Sequence, residues 1–296
     1  MKAKKTITRR DFLKGTAGFF LASTGLATTP RNAKAQIKTK VIVIRNMDVV
    51  GPNSEIQRNI LQTMLDEAIC GLIGKKEPQA AWQSMFNKTD IVGIKTNAWH
   101  YLPTPKELEG AIQQRLADVG IPLANMSIDD RGVLDNPVFK KATSLVNVRP
   151  VRTHHWSGVG SCLKNYIMFV RNPSAYHDEG CSDLGKIWTY PVVKGKTRIN
   201  ILCALTPQFY GRGAHFFDRR YVWSYKGLIV GTDPVSVDTV GAELLRRKRI
   251  NHFGDDRALD VQPVHISVAD KKYHLGVSDL SRIEIIKLGW QEEILL

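Results

Sequence analysis

Two hydrophobic periods alternate along residues 40–130, and few folds accommodate that alternation. "KVIVIRN" (40–46) is a short β-branched run that reads as a buried strand. "SEIQRNILQTMLDEAICGLIG" (54–74) places Ile56, Ile60, Leu61, Met64, Leu65 and Ala68 at helical spacing. "DIVGIKTN" (90–97) is a second strand. In "TPKELEGAIQQRLADVG", Thr104 is placed to cap a helix, Pro105 to open it, Glu107 to close a capping box and Gly120 to stop it. "NMSIDD" (125–130) is a third strand ending in two carboxylates. Strand, helix, strand, helix, strand predicts an α/β fold, a mainly parallel sheet flanked by helices.

Residues 171–225 break the pattern, with many Gly, Pro and aromatic residues around one strand, "RINILCAL" (198–205). A segment this long predicts an irregular insertion, which in a compact domain is usually functional. Order returns at "GLIVG" (227–231), a strand, followed by Asp233 as N-cap and a helix from Pro234 to about Lys248. "PVHISVAD" (263–270) and "SRIEIIKLG" (281–289) read as closing strands. Residues 36–296 therefore form a single α/β domain.

The formal charge of +14 invites a nucleic-acid reading. Its distribution argues against one. In residues 1–35, eight lysines and arginines stand against Asp11 alone, so half of the excess belongs to that segment. The one dense run beyond it, "RRKR" (246–249), sits at a helix end, where cations complement the helix dipole. No nucleic-acid partner is expected. "TRRDFLKG" (8–15) resembles a twin-arginine export signal, and the apolar stretch after it falls short of the ~20 residues that span a bilayer. "AKA" (33–35) offers small residues for cleavage after Ala35. Residues 1–35 thus read as a signal peptide recognised by the twin-arginine translocase. The mature chain is expected in the periplasm or another extracytoplasmic space, without a stable membrane anchor.

The four cysteines, Cys70, Cys162, Cys181 and Cys203, form no C-x-x-C, so no iron–sulfur motif is present. In an oxidising compartment Cys162 with Cys181 is the favoured disulfide, and Cys203, in an apolar run, reads as a buried thiol.

Polar groups beyond the carboxyl ends of strands form the sites of open parallel sheets. Lys95 and Asn97 lie at such an end, as do Asp129, Asp130 and Asp233. "THHWSGVGSCLKNY" (153–166) carries a glycine turn feeding a helix at about Ser161, flanked by His154, His155, Lys164 and Asn165. Amide groups at such a turn attract anions, with Gly158 and Gly160 permitting close approach. The two adjacent histidines point to opposite faces if extended, so His154 is expected in the site without His155. His215 in "GRGAHFFDRR" is the second imidazole. Asp238 among valines needs a partner or a metal. "YHDEGCSD" (176–183) groups His177, Asp178, Glu179, Cys181 and Asp183, a set with metal-ligand chemistry, but a solvated loop is the favoured reading. The resulting set is Lys95, His154, Lys164 and His215 for catalysis, Asn97, Gly158, Gly160 and Asn165 for substrate, and Asp129, Asp130 and Asp238 for a divalent metal.

Three segments together resemble the domain-of-unknown-function 362 family: "DIVGIKTNAW" (90–99), "THHWSGVGSCLKNY" (153–166) and "GLIVGTDPVSVDTVGAELL" (227–245). The chain departs from the family pattern in having Arg152-Thr153-His154 where Lys-x-His is common. It also lacks the ferredoxin-type cluster domain that some members carry. The resemblance implies a fold and site positions more than an activity. The expectation is an exported enzyme that acts on a small anionic substrate by Lys/His/Asp acid–base or metal-assisted chemistry. The alternatives are a non-catalytic periplasmic ligand-binding protein and a redox or iron–sulfur-associated protein.

Overall fold

β1 (Thr39–Arg45) opens the part of the chain that the computed structural model describes, residues 38–296. The export leader expected at 1–35 lies outside the described residues. The other strands are β2 (Val92–Lys95), β3 (Met126–Asp129), β4 (Ser144–His154), β5 (Gly158–Gly160), β6 (Thr197–Gln208), β7 (Gly227–Gly231) and β8 (Ile283–Gly289). They form one sheet in the order β3-β2-β4-β6-β7-β1-β8, with β5 paired to β4 alone. β3, β2, β4 and β6 run parallel, and β8 runs parallel to β1. β7 is antiparallel to both of its neighbours, and β5 turns back on β4. The fold is therefore mixed α/β with a mostly parallel sheet.

Period-two alternation assigns the two faces. Ile42, Ile44, Ile94, Val146 and Val148 join the core formed with helices Arg58–Ile73, Pro78–Gln83 and Lys106–Asp118. Val41, Val43 and Ile229 face the other way, onto Val237, Val240 and Leu244 of helix Pro234–Phe253. Each side chain of this kind stabilises by roughly 1.5–3 kcal/mol on burial. The strands are hydrophobic on both faces because helices cover both.

Several elements differ from the sequence reading. β4, which lies between β2 and β6, was not recognisable because Pro150 interrupts its β-branched run. The sheet absorbs that proline at a register shift between Pro150 and Arg152. "PVHISVAD" is a helix, Val264–Lys271, rather than a strand. Its buried residues His265, Ile266 and Ala269 fit a helical face, and tertiary packing overrides the β-propensity of Val and Ile. The helix expected to use a Thr104 cap begins at Lys106 with no side-chain cap. Thr104 is buried instead, with its hydroxyl accepting from the Asn97 amide at 3.2 Å. The Cys162–Cys181 disulfide is not formed, since all four cysteines are free thiols.

Candidate functional site

Because β2, β3, β4 and β6 run the same way, Lys95, Asp129, His154 and Gln208 end them along one edge of the sheet. Asp233 does not belong to this edge. It follows β7, which runs the opposite way, and it caps helix Pro234–Phe253 by accepting from the Val235 and Ser236 amides at 2.8 and 3.0 Å.

At the carboxyl edge a cavity of about 250 Å³ is lined by residues that include Asn97, Asp130, Arg149, Arg152, His154, Lys164, Asn165 and His215. Six of the residues singled out from sequence thus converge: Asn97, Asp130, His154, Lys164, Asn165 and His215. Arg149, Arg152, Trp99, Trp156 and His177 also line it, together with Arg131 and the apolar Ile167, Met168 and Pro173. The sequence reading did not place them there. Arg149 and Arg152 lie within the unread strand β4. His177 sits in the segment read as a solvated loop, yet it stacks on Trp156 with ring centroids 3.9 Å apart.

Lys95 does not line the cavity; it stands behind Asp130. Its ammonium donates to Asp130 Oδ1 at 2.6 Å and to the Thr96 carbonyl at 2.7 Å. Burial pushes Lys95 down to about 8, with Asp130 opposing. Burial also pushes the Asp130 carboxyl up, but the Lys95 charge and the bonds from Lys95 and the Ala98 amide outweigh it and hold the group below its ordinary value. Asn165 ties this pair to β4, since its Nδ2 donates to the Asn147 Oδ1 at 2.8 Å and to the Lys95 carbonyl at 3.1 Å.

The glycine turn is a hairpin between β4 and β5. Gly158 has φ +69°, and a Cβ there would meet the Val261 carbonyl at 2.4 Å. A Cβ at Gly160 would meet Arg149 Nη2 at 2.8 Å. Both glycines make room for the chain's own segments, and neither is among the residues that line the cavity. The amides beyond the turn are also occupied. Asp238 accepts from Ser161 Oγ at 2.6 Å and from the Cys162 and Leu163 amides at 2.7 and 2.8 Å. The chain fills its own anion notch, and burial pushes the Asp238 carboxyl up to about 6.

The expected acidic metal set does not assemble. Asp130 is paired with Lys95, Asp238 caps the turn, and Asp129 accepts from the Gly132 amide at 2.9 Å and from Asn136 Nδ2 at 3.1 Å. Among the described residues, the His/Cys/Asp/Glu group whose ligand atoms converge is His154, His155 and His215. His155 is therefore close to the site despite the alternation argument. β4 ends at His154, and the two rings stack with centroids 4.9 Å apart.

Electrostatically the cavity is mainly cationic, with Asp130 as the acidic residue of its lining and Asp130 and Asp238 near enough to Arg149 to favour its charged form. Arg149, Arg152 and Lys164 are each less than 5% exposed. Arg152 donates to the Leu102 carbonyl at 2.7 Å and to Asn97 Oδ1 at 2.8 Å. Arg149 donates to the Ser161 carbonyl at 3.3 Å. Lys164 approaches Cys181 Sγ at 3.6 Å. Among the described residues none of the three forms an ion pair with a carboxylate, and the Nε atoms of both arginines lack a hydrogen-bond partner. Burial lowers Lys164 to about 8. Burial and then the surrounding cations hold His154 well below its ordinary value, and burial with neighbouring positive groups lowers His155 and His177 to about 4.

Fold and site together define a mixed α/β protein with a buried cationic pocket at the carboxyl edge of a mostly parallel sheet. Residues 122–243 match the family model described as domain of unknown function (DUF362). The match supports the family resemblance carried by residues 153–166 and most of 227–245, while Lys95 lies outside it. No curated protein and no solved structure matches the chain.

Proposed function

We propose that this protein is an exported enzyme that binds a small anionic molecule in the cavity and transfers a proton to or from it. One observation carries the reading: three buried cations, Arg149, Arg152 and Lys164, line one cavity and make no ion pair with a carboxylate among the described residues. A buried charge without a counter-charge is destabilising by several kcal/mol. Guanidinium groups cannot relieve this by losing a proton at neutral pH. A carboxylate or phosphate in the cavity supplies a counter-charge to the cations that line it and accepts hydrogen bonds from them. The cavity volume of about 250 Å³ suits a small molecule rather than a polymer.

Lys164 is the proton carrier in this reading. At about 8 its ammonium can lose and regain a proton near neutral pH. Lys95 has a similar value but is held by Asp130 and the Thr96 carbonyl, so its role is to fix Asp130 in place. His154 and His215 are held unprotonated, which suits them to accept hydrogen bonds or to offer lone pairs rather than to carry a proton.

The export half of the proposal rests on the twin-arginine pattern. β1 begins at Thr39, so a cut after Ala35 leaves the sheet whole. Among the described residues no helix is long and apolar enough to cross a membrane. Replacing Arg9 and Arg10 by lysine should retain the protein in the cytoplasm on cell fractionation; unchanged export would reject the twin-arginine route.

The activity is tested by calorimetric titration with oxalate, phosphate and small hydroxy- and keto-acids, with each mixture then followed by proton NMR. Binding at one site with a product formed supports the enzyme. Binding across the panel without product selects the ligand-binding alternative. Failure of every anion to bind overturns the reading.

A further inference from the structure

We propose that His154, His155 and His215 bind a divalent transition-metal ion at the rim of the cationic cavity, with an open coordination position for an oxygen of the anionic ligand. The metal site deepens the anion-pocket reading, but it stands on its own geometry.

One nitrogen from each ring can be chosen so that all three lie within 4.8 Å of one another. Three nitrogens bound to one zinc ion at roughly 2.0–2.1 Å lie about 3.3 Å apart, so small ring rotations close the site. His155 Nδ1 is buried without a hydrogen-bond partner. That leaves one buried nitrogen of the ring without a protein partner and available to an ion.

The scaffold orients the other two rings. An antiparallel bridge from His154 to Gly213 brings the His215 segment against the end of β4. Trp99 packs on His215 at 4.3 Å and Trp156 on His155 at 4.2 Å, so both rings are held by aromatic walls. His154 Nδ1 accepts from the Trp156 amide at 3.2 Å. Ligation by His154 releases that bond, and because Trp156 is exposed the freed amide passes to water.

Three neutral nitrogens favour zinc, cobalt, nickel, copper or iron over magnesium or calcium, which prefer oxygen. The ion would add two positive charges to a wall that already carries Arg149, Arg152 and Lys164. Metal and anion should therefore bind with positive coupling, each relieving the charge imbalance caused by the other's absence.

The test is a Co²⁺ titration of the mature, chelator-treated protein, followed by visible absorption and competed by Zn²⁺. The expected result is one Co²⁺ per chain with an imidazole-ligated spectrum. His155→Ala and His215→Ala should each weaken binding about 100-fold or more, and His252→Ala, an exposed histidine outside the group, should leave it unchanged. His155→Gln is the second variant, and thermal melts verify that every variant is folded. Lack of stoichiometric binding, or binding insensitive to His155 and His215 in folded variants, overturns the site. Oxalate titration of the metal-free protein reports on the anion pocket separately, so the two ideas fail independently.

Discussion

Asp238, on the long helix Pro234–Phe253, reaches across to Ser161, whose hydroxyl donates to its carboxylate at 2.6 Å. The Cys162 and Leu163 amides donate to the same group. A feature that looks in sequence like an empty anion notch is thus a joint between two elements, closed by an internal carboxylate. Asp238→Asn should destabilise the fold by about 2–3 kcal/mol, because the amide turns a donor toward groups that are themselves donors. Urea unfolding checks this; a change below about 0.5 kcal/mol would show that the joint carries little of the stability.

The Lys95–Asp130 pair makes a separate prediction. Asp130→Ala leaves a buried ammonium without its counter-charge and should cost about 3–5 kcal/mol. The double variant Lys95→Met, Asp130→Ala should recover part of that loss, and a double-mutant cycle measures the coupling. Asp130 is held below its ordinary value. Its contribution is therefore present above the unfolded carboxyl range and is lost as pH falls through the lower folded value. Acid unfolding of Asp130→Ala should accordingly be shallower than that of the parent chain at low pH.

Anion affinity should depend on pH through Lys164. The group is charged below about 8 and neutral above it, so affinity falls as pH rises past that value, by at most about tenfold per unit. A bound anion favours the ammonium, so the loss levels off only above the higher value of the complex. Lys164→Met should bind more weakly and flatten the profile, as read by titration calorimetry from pH 6.5 to 9.5.

Gly213 has φ +79° and ψ −152°, a region reserved for glycine, and a Cβ there would meet the Thr153 carbonyl at 2.0 Å. Gly213→Ala should displace the segment that carries His215. The core lies elsewhere, so the expected outcome is a large loss of ligand affinity with a melting temperature lowered by only a few degrees. Fluorescence of Trp99, which packs on His215, should change in the same variant.

The sequence carried the sheet class well, because β1, β2, β3, β6, β7 and β8 announce themselves as short apolar runs. It carried the site in part. Lys164, His154 and Asn97 stand near turns and strand ends, where parallel topology gathers polar groups. Arg149 and Arg152 were hidden for a physical reason: Pro150 argues against a central strand, and charged residues in an apolar run read as surface. The reversal of β7 was equally invisible, since a strand's direction is set by pairing and not by its own residues. That reversal moved Asp233 to the far edge. The commitment of Asp238 to Ser161 joins residues 77 positions apart, and local pattern does not reveal such a contact.

The claim on which the rest depends is that Arg149, Arg152 and Lys164 form an anion site. Calorimetric titration of the mature protein with oxalate, in parallel with folded Arg149→Gln and Arg152→Gln variants, tests it most directly. The account predicts binding at one site per chain, weakened at least about tenfold by either substitution. Saturable binding that both variants retain at full strength, or no binding of oxalate or phosphate at all, would contradict it.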